Sequence, residues 1–265
     1  DMRPRRPCIA VIVAGAAGLA AAARRAAPVG SVGCLLENGA VVVPAILDQA
    51  GGDWLIDFAA PQTLLHETRA QKEGIAEPAL VGDLRFAGLA LPSTPVTVAN
   101  LDPRAPGFVT PIVAVIGDDV LSRYVVDIDF EPCRVTFHAP GTAPRLKGQR
   151  LPLARIEGRP TVRAAVSDGR RALAGAFVVD TASKAAVRLS IPTAHGPDDG
   201  DPRQWSPTWI RALSIGGDLF EKPSAARGAE LPASVAGALG TDWLRRYRLR
   251  IDTPGGRLIL AKPRP

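Results

Sequence analysis

The sequence reads Gly117-Asp-Asp-Val-Leu-Ser-Arg-Tyr-Val-Val-Asp-Ile-Asp129 in its first half and Gly240-Thr-Asp-Trp-Leu-Arg-Arg-Tyr-Arg-Leu-Arg-Ile-Asp252 in its second. Seven of these thirteen positions are identical, at a constant offset of 123 residues. The same offset aligns Trp54-Leu-Ile-Asp57-Phe-Ala59 with Phe177-Val-Val-Asp180-Thr-Ala182. Two copies are too few for a solenoid, so the repeat predicts a duplicated domain with pseudo-twofold symmetry.

Each copy ends an apolar strand on a single aspartate, Asp57 in the first and Asp180 in the second. A twofold axis between the copies would bring these two side chains together. Two carboxylates at close range cannot both ionise cheaply, so they share a proton and titrate as a pair. The ionised member can take a proton from a bound water while the protonated member polarises a carbonyl. The repeat therefore predicts a catalytic Asp57–Asp180 pair, and the alternative is that both are structural turn residues.

Composition favours a chain of many short strands and argues against several kinds of partner. The 265 residues are 46% apolar and include 26 glycines and 25 prolines, which suits strands and tight turns. The net charge of +6 comes mostly from scattered arginines, without the basic run typical of nucleic-acid binding. His66, His138 and His195 lie far apart, and no Cys/His cluster has metal-ligand spacing. We therefore expect no nucleic acid, no metal and no cofactor.

The N-terminal segment is similar to a targeting sequence. Arg3, Arg5 and Arg6 precede an apolar run from Cys8 to Ala23, which is the order found in secretory signals. Arg24-Arg25 directly after the run also fits a retained membrane anchor, and a cytosolic protein is the third alternative. We expect residues 1–28 to be a signal or anchor segment and the protein to be exported, periplasmic or secreted.

The rest of the chain divides into two lobes, residues 32–138 and 151–265, separated by a Pro/Gly/Lys-rich connector at 139–150. The turn signal Asn38-Gly39 predicts a hairpin between Cys34 and Leu47. Gly51-Gly52 predicts a second turn, and residues 84–91 read as one strand. A polar stretch follows at 193–204.

Two cysteines remain after the leader, Cys34 and Cys133. In an oxidising compartment they could form one bridge. The sequence leaves that possibility open beside the alternative of two unpaired, buried cysteines.

The motif order resembles that of the aspartic peptidases of the pepsin and retropepsin type, in particular their bacterial members. Val-Val-Asp180-Thr-Ala-Ser183 is similar to the family's apolar-apolar-Asp-Thr-Gly-Ser/Ala. Val115-Ile116-Gly117 and Ala238-Leu239-Gly240 resemble its apolar-apolar-Gly, and residues 121–129 resemble the helix and strand that follow in bacterial relatives. The resemblance covers about residues 32–262, one lobe in each half.

This resemblance implies an all-β fold of two pseudo-symmetric lobes of mainly antiparallel sheet, with one short helix per lobe. It implies an activity class as well, an aspartic endopeptidase in which Asp57 and Asp180 activate a water against a peptide bond. The partner would be a peptide or protein substrate, and the protein would be a monomer. Residues expected to support the catalytic turns are Thr181, Ser183, Ala59, Ala182, Gly117 and Gly240.

The sequence also departs from that pattern around both aspartates. The family's glycine two positions after the aspartate is Ala59 in one copy and Ala182 in the other, and Phe58 stands where the family has Thr or Ser. We expect the Phe58 ring to be buried near Ile56 and Val179, with Thr181 bonded to backbone. These departures favour the alternative function, a catalytically degraded retropepsin-like domain that binds peptides or serves as a scaffold in the cell envelope.

Overall fold

The computed structural model describes residues 27–104, 107–190, 210–227 and 231–263. The predicted signal or anchor segment lies outside the described residues except for its last two positions, and the polar stretch at 193–204 lies wholly outside them. No helix among the described residues is long and apolar enough to cross a membrane.

The first half of the chain contains ten strands and two short helices among its described residues. In chain order they are β1 (Gly30–Gly33), β2 (Leu35–Glu37), β3 (Ala40–Leu47), β4 (Ala50–Ile56), β5 (Leu64–His66), α1 (Glu67–Lys72), β6 (Ala79–Phe86), β7 (Leu89–Ala99), β8 (Ile112–Ile116), α2 (Asp118–Leu121), β9 (Val125–Phe130) and β10 (Cys133–His138). A single 3-10 turn, Asp102–Arg104, lies in the loop between β7 and β8.

The second half repeats this order with one helix among its described residues. Its elements are β11 (Gln149–Pro152), β12 (Ala154–Ile156), β13 (Arg159–Ser167), β14 (Ala172–Val179), β15 (Val187–Leu189), β16 (Ala212–Ile215), β17 (Asp218–Glu221), β18 (Ala225–Arg227), β19 (Gly237–Leu239), α3 (Thr241–Leu244), β20 (Arg248–Asp252) and β21 (Arg257–Ala261).

Each half forms its own sheet, and the same parallel pairing of two strands occurs in both sheets. In the first, β4 lies parallel to β8, with Leu55 opposite Val115 and Ile56 opposite Ile116. In the second, β14 lies parallel to β19, with Val178 opposite Ala238 and Val179 opposite Leu239. These residue pairs are related by the same offset of 123, so the repeat in the sequence is a repeat of register. The predicted all-β, two-lobed fold is confirmed.

A third sheet joins the lobes, in the order β1-β10-β9-β20-β21-β11. One face is apolar and belongs to the main core, through side chains such as Val126, Ile128, Leu249 and Ile251. The alternation of apolar and polar residues along β20, and along β9 from Val126 onward, explains this, because neighbouring residues of a strand point to opposite faces. The lobes are therefore held together by a continuous hydrogen-bonded sheet rather than by the connector alone.

Two local predictions were wrong. Gly51-Gly52 lies inside β4, and the turn is at Asp48-Gln49, where Asp48 takes a φ of 49°. Gly52 lies so close to β8 that a Cβ there would come within 2.5 Å of the Val113 side chain. The predicted strand 84–91 is a hairpin, because Ala87 and Gly88 turn the chain with φ of 54° and 82°. Alanine is not a usual turn residue, so the continuous apolar pattern hid the turn.

Cys34 and Cys133 form a disulfide bridge, which selects one of the two alternatives left open by the sequence. The bridge joins the start of β10 to the residue between β1 and β2, where Cys34 N also donates to the Cys133 carbonyl at 3.0 Å. It fixes the edge of the six-stranded sheet to the first lobe.

Candidate functional site

Asp57 and Asp180 lie directly after β4 and β14, at equivalent ends of the two parallel strand pairs. Asp57 N donates to the Ile116 carbonyl at 3.1 Å, and Asp180 N donates to the Leu239 carbonyl at 3.0 Å. Both residues are only 1% exposed, and both line one cavity of about 250 Å3. The structure therefore brings the two predicted aspartates to the same cleft between the lobes.

The two turns that follow the aspartates have matching hydrogen bonds. Ala59 N donates to Asp57 Oδ1 at 2.7 Å, and Ala182 N donates to Asp180 Oδ1 at 3.0 Å. Neither alanine has a positive φ. A methyl group is therefore tolerated in both turns without backbone strain, since strain from a side chain arises in the left-handed region. Ala59 and Ala182 are therefore compatible with the backbone hydrogen bonds that hold the two carboxylates.

Gly117 and Gly240 serve the close approach of backbone behind each turn. A Cβ on Gly117 would come within 2.4 Å of the Gln62 carbonyl, and one on Gly240 within 2.2 Å of the Ala185 carbonyl. Backbone atoms cannot move away as the end of a flexible side chain can. These glycines are therefore architectural and carry no chemistry of their own.

Thr181 and Phe58 make the link between the two turns asymmetric. Thr181 Oγ1 donates to the Ile56 carbonyl at 2.6 Å and lies 3.4 Å from the donating Phe58 N. Phe58, at the matching position of the first copy, has no exposed surface and packs in the main core with Ile56 and Val179. The expectation of a buried ring and a threonine bonded to backbone is confirmed.

Two arginines that sequence reasoning missed hold the outer oxygens of the aspartates. Arg104 Nη1 donates to Asp57 Oδ2 at 2.5 Å, and Arg188 Nη2 donates to Asp180 Oδ2. Their side chains are 26% and 20% exposed. Each carboxylate therefore has one oxygen on a backbone N–H and the other on a guanidinium.

The sequence carried a weak signal for one of these arginines. In the sheets, Arg188 occupies the place that Leu64 has in the first copy, since Arg188 pairs with Ala238 as Leu64 pairs with Val115. A cation therefore stands in the second copy where the first copy has an apolar side chain. Arg104 comes from the loop before β8, and nothing in its sequence context pointed to Asp57.

Other side chains around the cavity set its polarity. Burial raises the pKa of Asp180 above its usual range; the Arg188 guanidinium opposes this shift and the Asp57 carboxylate adds to it. Ser183, another predicted support residue, accepts through its carbonyl from Thr241 N at 2.8 Å. The cavity is lined by Asn38, Leu55, Asp57, Pro103, Arg104, Phe108, Asp180, Ala182, Ser183, Lys184 and Arg188.

A further buried carboxylate lies behind the first turn. Asp118 has no exposed surface and accepts from Arg155 Nη2 at 2.5 Å. Burial raises its pKa to about 6, opposed by Arg155 and supported by the neighbouring Asp119. Arg159 Nε donates to the Ala59 carbonyl at 2.8 Å. Arginines of the second lobe therefore hold the turn that carries Asp57.

The described ranges contain no group of three or more His, Cys, Asp or Glu side chains that could hold a metal ion. The chemistry available in the cleft is that of two carboxylates, two guanidiniums and one nearby ammonium group.

Comparison with known proteins agrees with this architecture. No family model matches the sequence, and no curated protein matches it. Among solved structures, the chain is similar to the aspartic proteinase from Irpex lacteus, with a TM-score of 0.53 and 14% identity, covering 88% of this chain and 97% of that one. At such low identity the likeness shows the fold alone, which is pepsin-like with two lobes.

Proposed function

We propose that this chain is a peptide-binding protein on a pepsin-like fold, in which Asp57 and Asp180 are structural ion-pair partners rather than a working catalytic pair. The observation that carries the proposal is the pairing of each outer carboxylate oxygen with an arginine, Arg104 on Asp57 and Arg188 on Asp180.

The chemical reason lies in what a peptidase pair must do. One carboxylate has to accept a proton from water, and the other has to donate one to the substrate carbonyl. A guanidinium stabilises the ionised form of the carboxylate it contacts and so makes that carboxylate a weaker base. With a guanidinium on each outer oxygen and a backbone N–H on each inner one, a water in the cleft must share every carboxylate oxygen with another donor. Water activation is disfavoured while both ion pairs persist.

Two features support a peptide as the ligand. The cleft lies between the lobes of a fold that the Irpex lacteus aspartic proteinase shares. Its wall also combines apolar side chains, Leu55 and Phe108, with polar groups, as small-ligand and peptide clefts commonly do. An extended peptide can use backbone hydrogen bonds as well as side-chain contacts in such a cleft.

An aspartic endopeptidase with Asp57 and Asp180 as its catalytic pair is the second candidate. The raised pKa of Asp180, caused by burial and supported by Asp57, favours it, because a protonated carboxyl beside an ionised one is the state that hydrolysis requires. The Thr181 bonds that join the two turns also favour it. In this candidate, Arg104 and Arg188 would have to leave the carboxylates when substrate enters.

The two candidates are separated by one experiment on mixed synthetic peptides between acidic and neutral pH, with binding followed by fluorescence polarisation and cleavage by mass spectrometry. We expect the native protein to bind peptides without cleaving them. The Asp57→Asn variant should also bind peptides and cleave none. Arg104→Gln with Arg188→Gln tests whether the pair becomes active once the guanidiniums are removed; we expect no cleavage.

Cleavage by the native protein that is lost in Asp57→Asn and in Asp180→Asn would overturn the binding proposal and support the endopeptidase. Cleavage that appears only in the double arginine variant would show a competent pair suppressed by its ion pairs. The absence of any peptide binding would leave neither candidate standing.

We propose in addition that the protein works after export to an oxidising compartment and as a monomer. The Cys34–Cys133 bridge supports the first point, because disulfides persist in oxidising surroundings. The second is supported by the two aspartates, which come from the two lobes of one chain, so the cleft needs no second copy.

A further inference from the structure

The cleft carries an excess of positive charge. Its lining includes three cationic side chains, Arg104, Lys184 and Arg188, against the two carboxylates Asp57 and Asp180. Two carboxylates that share one proton would leave a peptidase cleft with a negative charge. The sign of the charge facing a ligand is therefore reversed in this protein, and a ligand carboxylate would meet attraction instead of repulsion.

The excess charge lies on one side of the cleft. Lys184 corresponds to Pro61 in the first copy, because the same glycine contact recurs: a Cβ on Gly39 would clash with Lys184, and one on Gly158 would meet Pro61 at 3.2 Å. Arg188 corresponds to Leu64 by its place in the sheet. The first lobe thus has a proline and a leucine where the second has two cations.

Lys184 is held in position through its backbone. Asp242 N, in α3, donates to its carbonyl at 2.9 Å. On the other side Gly39 lies against it, so closely that any Cβ at Gly39 would fall within 2.4 Å of the Lys184 Cα and Cβ. The Lys184 side chain is exposed, and its ammonium group has no carboxylate partner within the described part of the chain. The Lys184 backbone is therefore held at the cleft wall, and no carboxylate of the described residues neutralises its charge there.

Arg188 retains donors for a ligand as well. Its bond to Asp180 uses Nη2, which leaves the other N–H groups at that end of the guanidinium, and the side chain is 20% exposed. A guanidinium has five N–H donors in a fixed plane. The same arginine can therefore keep Asp180 paired and still contact a second anion.

We propose that the cleft selects peptides that present a carboxylate to the second lobe, where Lys184 and Arg188 bind it. This inference rests on the peptide-binding function proposed above and adds the chemical class of the ligand. The carboxylate could belong to an acidic side chain or to the C-terminus of the peptide, since both offer the same two oxygens.

Three fluorescein-labelled probe peptides of one length distinguish these sources. The first has a central Glu and an amidated C-terminus, the second a central Gln and an amidated C-terminus, and the third a central Gln and a free C-terminal carboxylate. We expect at least one acidic probe to bind roughly tenfold more tightly than the neutral one, the effect of one charge-assisted hydrogen bond. Lys184→Gln should remove most of that preference.

Lys72→Gln is the matched control, because Lys72 is an exposed lysine on α1 that does not line the cleft. Lys72→Gln should leave the affinities for all three probes unchanged. Lys184→Gln should weaken the binding of only those acidic probes that the native protein prefers over the neutral one. Equal binding of the three peptides by the native protein would overturn the inference and leave the peptide-binding proposal standing. An unchanged acidic preference in Lys184→Gln would overturn it too, and binding of none of the probes would count against both.

Discussion

At the scale of single residues, Thr181 and the Phe58 ring hold the two aspartate turns by different means. The buried Thr181 hydroxyl donates to the Ile56 carbonyl of the other lobe, whereas Phe58 fills the matching place with apolar contacts in the core. A buried ring contributes about 1.5–3 kcal/mol and one hydrogen bond about 1 kcal/mol. The loss of a second hydroxyl is therefore compatible with a stable fold.

Thr181→Val should lower the free energy of unfolding by about 1–3 kcal/mol, because the nearly isosteric valine leaves the buried Ile56 carbonyl without its donor. Urea-induced unfolding measures the effect. Thr161→Val is the matched control: Thr161 is also a buried residue, but its hydroxyl donates, at 3.3 Å, to the carbonyl of the exposed Ala154, which water can satisfy. A loss in Thr161→Val as large as that in Thr181→Val would contradict the role given to Thr181.

At the scale of elements, polar contacts join each lobe to a hairpin turn of the other lobe, and the contacts differ between the two sides. The turns Asn38-Gly39 and Glu157-Gly158 have positive φ at both positions, the geometry of tight hairpins. Thr241 Oγ1 donates directly to the Gly39 carbonyl at 2.6 Å. On the other side Asp118 replaces the threonine, and Arg155 Nη2 contacts both Asp118 and, at 3.4 Å, the Gly158 carbonyl. An ionised carboxylate cannot donate to a carbonyl, so an arginine bridges the two acceptors.

This difference makes stability depend on pH. The pKa of Asp118 is about 6 in the folded protein against 3.8 for the unperturbed group, so the folded state binds a proton more tightly than the unfolded one. Its contribution to stability is therefore gained as the pH falls through about 6 and is lost as the pH rises through that value. Asp118→Asn should remove this slope.

Thermal unfolding between about pH 4 and about pH 7 measures the slope. The Tm of Asp118→Asn minus the Tm of the native protein should be more positive at neutral pH than at acidic pH. Asp218→Asn, which changes an exposed carboxylate on β17, corrects for the change in net charge. If the Tm of the native protein and the Tm of Asp118→Asn change in parallel with pH, Asp118 is not the source of the pH dependence.

At the scale of the whole molecule, the pseudo-twofold axis passes between Asp127 on β9 and Arg250 on β20. These residues are related by the repeat offset and lie directly opposite each other where the two strands pair. Arg250 Nε and Nη2 donate to the two Asp127 oxygens at 2.5 and 2.7 Å. Two identical lobes would place like charges at this point, so the Asp–Arg pair favours association of one first lobe with one second lobe.

Arg250→Met should destabilise the protein by about 3–5 kcal/mol, because it leaves Asp127 as a buried charge with weaker partners. Replacing both residues, as in Asp127→Leu with Arg250→Met, should cost less than the single change, since no buried charge then remains unpaired. Arg245→Met removes an arginine whose side chain is 55% exposed and whose partner Asp242 is 23% exposed, and it should cost about 0–1 kcal/mol. Urea-induced unfolding of the three variants gives the comparison, and a double variant less stable than Arg250→Met would contradict it.

The sequence by itself determined the architecture, because that information is local and repeated. The offset of 123 predicted the two lobes. The positions of Asp57 and Asp180 at strand ends, and the glycines Gly117 and Gly240 behind them, could likewise be read from short motifs. Each of these signals depends on residues within one strand and its turn.

Only the tertiary structure decided what surrounds the two aspartates. Arg104 is 47 residues from Asp57, and its guanidinium reaches that carboxylate because of the path taken by the loop between β7 and β8. Arg188 and Arg155 likewise act on partners set by sheet register and by the packing of one lobe on the other. A long side chain can place its charge in many directions from one backbone position, so no local pattern specifies its partner. For that reason the sequence predicted that the two aspartates meet but not the arginines that contact them.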